Sequence, residues 1–193
     1  SDNPYPVVRS VLDALHRRDP GYPPQYLLYA KLSQEQKNLT LMDNYLKKAL
    51  KLEPNYFAAL HMLGEYHYLV KEPVKAYEYF KKAVKASLSP PEFTFEDFYF
   101  ETESVGKTYY YMGNIFYYFF DKVRYRFGDE LEEEELDADV EEQANYEIAR
   151  TKYEMALKEG YESPELAYNL GRIYYMAGQY ERALDRWLSL YED

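Results

Sequence analysis

Apolar side chains recur every three to four residues through most of the chain, which is the spacing of one face of an α-helix. A first segment of this kind ends near Arg18, where the Asp-Pro-Gly run at 19–21 forms a helix stop. Further segments follow in pairs separated by short polar breaks, until Pro90 and Pro91 interrupt the pattern. The predicted paired helices lie at 22–36 and 39–52, and at 56–70 and 73–87.

The helix pairs repeat with a period of 34 residues. Ala30 and Gly64 are 34 residues apart, and so are Ala49 and Ala83. Small residues at these places predict that the two helices of a pair cross closely. A single pair of this kind cannot bury its apolar face, so neighbouring pairs must stack. The other pairs at this spacing are Pro20 and Pro54, Met42 and Ala76, Leu46 and Phe80, Ala149 and Ala183, and Tyr153 and Trp187.

These spacings resemble the tetratricopeptide repeat (TPR) family, whose unit carries a large residue, Leu-Gly, Tyr, Ala, an aromatic residue and a second Ala. The clearest copies use Leu60, Leu63, Gly64, His67, Ala76, Phe80 and Ala83, and Ala167, Leu170, Gly171, Tyr174, Gly178, Ala183 and Trp187. The resemblance implies an all-α fold, a right-handed superhelical solenoid of antiparallel helix pairs within one domain, 1–193. The predicted units are a capping or half-repeat helix at 1–20 and repeats at 22–56, 57–90, 106–163 and 164–193.

Two segments depart from the repeat. Residues 91–105 alternate aromatic and acidic side chains, and we interpret them as a linker that packs its phenylalanines on the solenoid. In the third repeat, Ala149 lies 24 residues later than the period requires. Helical spacing continues from Phe116 to Phe127 and resumes at Leu136, which predicts an over-long hairpin with an acidic insertion at 120–143.

The negative charge of the chain is concentrated in that insertion. The formal net charge is −11, and ten acids with no base lie between Asp129 and Glu142, so the remainder carries about −1. We interpret the run as a solvated segment; a docking site for a basic partner and a calcium site are the alternatives. The chain has no basic stripe, and this predicts no binding to nucleic acid.

Composition narrows the classes of function further. The chain has no cysteine, which excludes disulfides and thiolate chemistry and leaves cytoplasm and periplasm both open. No apolar run is long enough to span a bilayer, so no membrane insertion is expected. No catalytic or phosphate-binding motif occurs, so we expect neither an enzyme nor a cofactor. His61 and Glu65 share a helix face and could hold a metal, but a side-chain pair on a groove wall is favoured.

Tyrosine is the most unusual component, with 25 residues in 193. The TPR resemblance implies that the first helix of each unit lines a concave groove, and many tyrosines fall on that face. Tyrosine offers a large contact area and a hydroxyl group for hydrogen bonds, as interfaces require. The alternative is that tyrosine replaces Phe and Leu in the core. The predicted partner-binding residues are His61, Glu65, Tyr68, Lys107, Tyr110, Asn114, Tyr117, Tyr118, Tyr168, Arg172 and Tyr175.

The sequence therefore predicts a non-enzymatic scaffold that binds a protein, as a peptide or helical segment, in this groove. One alternative is a structural subunit of a larger assembly, such as a bacterial envelope complex, docking through its ends and its acidic arm. A small-ligand site among the aromatic residues is a lesser alternative. The last helix carries Trp187 and Leu188, which suggests self-association through that helix. The first helix begins in mid-repeat, so we expect the chain to be part of a longer array or to dock by its end on a second chain.

Overall fold

The computed structural model describes residues 5–89, 104–119 and 138–190, with the backbone alone at residue 5 and over 138–144. Across these ranges the secondary structure is helical, with no strand. The helices are α1 (Tyr5–Arg18), α2 (Pro23–Glu35), α3 (Leu39–Leu52), α4 (Phe57–Leu69), α5 (Pro73–Ser87), α6 (Val105–Tyr118), α7 (Ala138–Lys158), α8 (Pro164–Met176) and α9 (Tyr180–Leu188).

The helices belong to two compact units, residues 1–100 and residues 101–193. In the first unit α2 pairs with α3 and α4 pairs with α5, while α1 packs on α2 and α4 on α3. In the second unit α6 pairs with α7, α8 pairs with α9, and α8 packs on α7. The predicted all-α architecture of antiparallel helix pairs is confirmed. No helix in the described ranges is both long and apolar enough to cross a bilayer.

Three of the described helix pairs cross at a glycine, as the sequence predicted. A Cβ atom at Gly64 would overlap the ring of Phe80, and one at Gly171 would overlap the indole of Trp187. At Gly113 the added Cβ would lie 2.6 Å from the ring of Tyr153. Glycine is therefore required at these crossings because the aromatic ring of the second helix occupies the space of a side chain.

The turns inside the helix pairs share one backbone geometry. Lys37, Lys71 and Gly178 follow α2, α4 and α8 with φ values of 57°, 62° and 73°. In each turn the next N–H donates to the carbonyl five residues back at 2.8 Å, which is a Schellman motif; the donors are Asn38, Glu72 and Gln179. The repeated phase therefore fixes how α2, α4 and α8 end.

The N-terminal helix α1 packs on the first unit through a small contact. Leu12 is buried with Tyr29 and Leu32 of α2, and the Tyr29 hydroxyl donates to Asp13 Oδ1 at 2.5 Å. Other apolar side chains of α1, such as Val7 and Val11, remain exposed. The predicted helix is present, but most of its apolar face is not covered within the described residues.

The third helix pair differs in part from the sequence prediction. Its first helix, α6, ends at Tyr118 with Phe119 as C-cap, whereas helical spacing predicted continuation through Phe127. Its second helix, α7, has 21 residues and begins inside the predicted acidic insertion, so the pair is over-long on this side. Most of the insertion, with its acidic turn, and the linker up to residue 103 lie outside the described residues.

Candidate functional site

In the first unit, the predicted pair His61 and Glu65 lies in the interior rather than on a groove wall. The His61 ring is fully buried between Phe57 and Phe80, and its Nε2 lies 3.3 Å from Glu65 Oε1. The burial follows from α5, whose Phe80 covers this face of α4. Tyr68, also predicted, stays half-buried. Among the described side chains no group of three or more His, Asp or Glu could hold a metal ion.

In the second unit, two of the predicted residues are buried and join helices together. The Tyr110 hydroxyl of α6 donates to Glu165 Oε2 of α8 at 2.6 Å. Asn114 Oδ1 accepts from the Tyr153 hydroxyl of α7 at 2.6 Å. Both predicted residues are less than a tenth exposed. Tyr110 and Asn114 therefore serve the packing of α6, α7 and α8.

Further hydrogen bonds make these contacts continuous. The Tyr118 hydroxyl donates to Glu165 Oε1 at 3.2 Å, and Asn169 Nδ2 lies 3.0 Å from the same hydroxyl. Asn169 Nδ2 also donates to the Tyr153 hydroxyl at 3.3 Å. We call this set the tyrosine network; its members are Tyr110, Asn114, Tyr118, Tyr153, Glu165 and Asn169. Tyr153 and Asn169 were not among the predicted residues. Asn169 lies within the apolar pattern of α8, and a buried amide needs a hydrogen-bond partner, so its position was a signal for the network.

Burial raises the pKa of the phenols in this unit. The pKa of Tyr153 lies well above its ordinary value of 10.0, chiefly because the ring is buried. The pKa of Tyr110 is raised by burial first and by its hydrogen bond to Glu165 second. These hydroxyls therefore keep their protons even above pH 10, the ordinary pKa of tyrosine, and donate to Glu165 and Asn114.

The other predicted residues of α6 and α8 reach the surface. Tyr118, Tyr168 and Tyr175 are 49%, 51% and 56% exposed, and Arg172 is exposed between the last two. The Arg172 guanidinium lies 5.9 Å from the ring centre of the half-buried Tyr117. No carboxylate of the described residues lies within ion-pair distance of Arg172. We call Tyr118, Tyr168, Arg172 and Tyr175 the tyrosine–arginine surface.

Helix α9 holds part of this surface in place. Trp187 Nε1 donates to the backbone carbonyl of Tyr168 at 3.3 Å, and its ring centre lies 6.0 Å from that of Tyr175. Tyr180 stacks edge-on with Tyr175 at 5.3 Å. Lys107, the remaining predicted residue, is half-buried with Nζ 5.8 Å from the Tyr111 ring. The exposed tyrosines of α8 are thus supported by packing rather than projecting freely.

Comparisons with known proteins agree with this architecture. Residues 139–193 match the family model described as tetratricopeptide repeat. No curated protein sequence matches the chain.

Several solved structures have a similar fold. PilF of Pseudomonas aeruginosa is 16% identical, with a TM-score of 0.65 over 94% of this chain and 66% of its own. MamA is 15% identical, with a TM-score of 0.59 over 93% of this chain and 82% of its own. A monomeric mutant of IFIT1 with Gppp-AAAA is 14% identical, with a TM-score of 0.61 over 94% of this chain and 35% of its own.

These identities establish likeness in fold alone, and the chain spans about two thirds of PilF and a third of IFIT1. The sequence match is confined to the second unit, where α7, α8 and α9 lie. The resemblance to the tetratricopeptide repeat family is therefore confirmed by the match of residues 139–193, and the solved structures show a similar fold over most of the chain.

Proposed function

We propose that the chain is a non-enzymatic scaffold that binds a peptide or helical segment of a partner protein on the tyrosine–arginine surface. TPR proteins generally serve as protein-interaction scaffolds, because stacked repeats form extended binding surfaces. The observation that carries the proposal is the half-exposed state of Tyr118, Tyr168 and Tyr175 around Arg172.

Aromatic residues and arginine dominate binding energy at protein interfaces. A tyrosine ring contributes a large area at a low cost in conformational entropy, since only two side-chain torsions are fixed. Here that cost is lower still, because Tyr118 is already hydrogen-bonded to Glu165 and Tyr175 is packed against Trp187. The surface is therefore preorganised for a protein partner.

The test is capture of partners from source cells, with quantitative mass spectrometry of wild type and a Tyr168→Ala/Tyr175→Ala variant. The matched control is Leu69→Ala/Leu88→Ala, which removes two exposed apolar side chains from the first unit. We expect a specific partner to be retained by wild type and control and lost by the tyrosine variant, with thermal melts showing a folded chain. Retention of every partner by the folded tyrosine variant would reject this surface.

A structural subunit that docks through its terminal helices is the second candidate. It is favoured by apolar side chains that are exposed at both terminal helices, Val7 and Val11 on α1 and Leu184 and Leu188 on α9. Most of its acidic arm lies outside the described residues. A Val7→Asp/Val11→Asp variant that loses a partner retained by Tyr168→Ala/Tyr175→Ala would support this second function.

Three other expectations remain predictions. The TPR fold is typical of non-catalytic proteins, and the absence of catalysis rests on the sequence. The absence of nucleic-acid binding rests on the net charge of −11. A small-ligand site among the aromatic residues is the least favoured, and ligand-induced shifts in melting temperature would test it.

A further inference from the structure

Charge is distributed unevenly along the chain. Residues 5–89, the described part of the first unit, contain thirteen Lys and Arg against eight Asp and Glu, a formal charge of +5. Residues 90–193 contain ten Lys and Arg against 25 Asp and Glu, a formal charge of −15. The first unit is therefore basic, and the net charge of the whole chain conceals this.

The exposed sides of α3 and α5 carry the same three lysines. The three of α3 recur in α5 after 34 residues, and all six side chains are exposed. The expectation of no basic stripe is therefore wrong for the first unit. We call these six residues the lysine surface; they are Lys47, Lys48 and Lys51 of α3 and Lys81, Lys82 and Lys85 of α5.

The second unit lacks this surface. Its second helices, α7 and α9, can be aligned with α5 through Ala83, Ala149 and Ala183, which occupy the same repeat position. Of the six positions of α7 and α9 that correspond to the lysines, one is basic. These positions are Glu147, Ile148, Thr151, Glu181, Arg182 and Asp185. The repeat fold itself therefore does not require lysine at these places.

Tyrosine rings order the lysines and connect the two helices. Lys48 Nζ lies 5.4 Å from the ring centre of Tyr45, and Lys82 Nζ lies 5.3 Å from that of Tyr79. Lys47 of α3 also interacts electrostatically with Tyr79 of α5. Both helices thus place ammonium groups around Tyr79, and the lysine surface is continuous from one helix to the other.

The two rings are themselves held by stacking. The Tyr45 ring stacks on Tyr29 with 4.9 Å between ring centres, and the Tyr79 ring stacks on the buried His67 at 5.2 Å. A lysine that already lies over a fixed ring loses less conformational freedom when it binds a ligand. The lysine surface is therefore preorganised, unlike lysines that extend freely into solvent.

Most of these cations have no acidic partner in the described part of the chain. Lys47 forms an ion pair with Asp43 at 2.6 Å. Four of the six have no described carboxylate within ion-pair distance; they are Lys48, Lys51, Lys82 and Lys85. Like charges one helical turn apart repel each other, so an acidic ligand would relieve this repulsion.

We propose that the lysine surface is a second binding site, separate from the tyrosine–arginine surface, and that it binds an acidic segment of a partner protein. Carboxylates of the segment pair with the ammonium groups, and its apolar side chains contact Tyr45 and Tyr79. A nucleic acid or an anionic bilayer extends far beyond the screening length of about 8–10 Å, so it also meets the acidic remainder of the chain. A short acidic segment is attracted by the lysines without that repulsion.

The probe is fluorescein-labelled decaglutamate, with decaglutamine as its neutral counterpart, and fluorescence anisotropy with the full chain measures binding. The lysine variant is Lys48→Gln/Lys51→Gln/Lys82→Gln/Lys85→Gln. We expect decaglutamate to bind wild type at least about tenfold more tightly than this variant at low salt, because four exposed ion pairs are lost. Binding to wild type should weaken as the salt concentration rises toward about 0.15 M.

The matched control removes four other exposed cations of the first unit, as Arg17→Gln/Arg18→Gln/Lys37→Gln/Lys71→Gln. It has the same net charge as the lysine variant and should keep most of the affinity, with thermal melts showing that both variants are folded. Equal losses in the two variants would reduce the effect to net charge and overturn the proposal. Equal affinity of wild type for decaglutamate and decaglutamine, or no binding of either, would also overturn it.

An anionic membrane is a competing occupant. Vesicles of phosphatidylcholine with phosphatidylserine are titrated with wild type and the lysine variant. Weaker binding than to decaglutamate, or none, supports a protein segment. Tighter binding that needs the same lysines would overturn the proposal in favour of a membrane surface.

A second copy of the chain, through its own acids, is the other competing occupant. Light scattering of wild type at several concentrations tests it, and a monomer throughout supports a partner protein. Assembly that the lysine variant abolishes would overturn the proposal. The capture experiment with Tyr168→Ala/Tyr175→Ala concerns residues of the second unit, so failure of the proposed function and failure of this inference are distinguishable.

Discussion

Glycine and an aromatic ring form the recurring contact of this fold. The rings of Phe80, Tyr153 and Trp187 lie over the glycines of their own helix pairs, and Phe80 and Tyr153 are fully buried. Protein interiors are close-packed, so a side chain added at such a position has no room.

Gly64→Leu should lower the free energy of unfolding by roughly 1–3 kcal/mol, because the leucine overlaps the Phe80 ring in a filled core. Lys51→Leu, at an exposed position of α3, is the control and should change stability by less than about 0.5 kcal/mol. Urea denaturation measures both. A Gly64→Leu variant as stable as wild type would contradict the close crossing of α4 and α5.

The tyrosine network makes its own stability prediction. Tyr153→Phe removes the hydroxyl that bonds Asn114 and Asn169, leaving buried amide groups without that partner. We expect a loss of about 1–3 kcal/mol in the free energy of unfolding. Tyr180→Phe, at an exposed hydroxyl, should cost nothing measurable; equal stability of the two variants would show that the network does not stabilise the fold.

A high-pH experiment tests the buried phenols. Burial, followed by the hydrogen bond to Glu154, raises the pKa of Tyr174 from 10.0 to about 12. The folded chain then holds this proton while the unfolded chain loses it, so stability is unaffected below pH 10 and falls as pH rises from 10 to 12. Tyr174→Phe should show a shallower fall in urea denaturation across this range. An unchanged slope would mean that Tyr174 titrates alike in both states.

Helix ends follow the repeat as closely as helix centres do. Lys37, Lys71 and Gly178 occupy equivalent turns with positive φ, a region that only glycine adopts without cost. Two of the three turns therefore carry backbone strain that the sequence alone did not reveal, since lysine is not a turn signal.

Lys71→Gly should raise the free energy of unfolding by up to about 1 kcal/mol, because relief of the left-handed strain exceeds the added chain entropy. The contrasting variant is Lys85→Gly within α5, which should lose about 1 kcal/mol because glycine is a poor helix former. Thermal melts of both variants give the signs directly. A loss of stability in both would show that the turn after α4 is unstrained.

The positions of most helices were predictable because the 34-residue period aligns caps, small residues and apolar faces. The predicted segment 39–52 coincides with α3, and the segment 73–87 coincides with α5. The helical spacing of residues 114–127 pointed past the true end of α6, because these residues contain neither glycine nor proline. The repeat phase did carry the signal: α6 ends five residues after Gly113, as α4 ends five residues after Gly64. The three-to-four-residue spacing of apolar side chains gives the direction of a helix face, but it carries no stop signal of its own.

The candidate site was predictable only in part. Repeat phase placed Tyr110 and Tyr168 on equivalent faces, yet one is buried and the other is half exposed. The difference arises because α8 brings Glu165 against the Tyr110 hydroxyl, whereas Trp187 of α9 contacts the backbone carbonyl of Tyr168 and leaves its side chain half exposed. Burial of a groove position is thus decided by the neighbouring repeat, which one repeat's own sequence does not encode.

The central claim is that exposed tyrosines of the second unit, around Arg172, form the partner-binding surface. Hydroxyl-radical footprinting with mass spectrometry, on the free chain and on its complex with the captured partner, tests this claim residue by residue. We predict protection of Tyr118, Tyr168 and Tyr175 in the complex, with unchanged labelling at Tyr22, an exposed tyrosine of the first unit. Unchanged labelling of all three tyrosines, with protection elsewhere on the chain, would contradict the account.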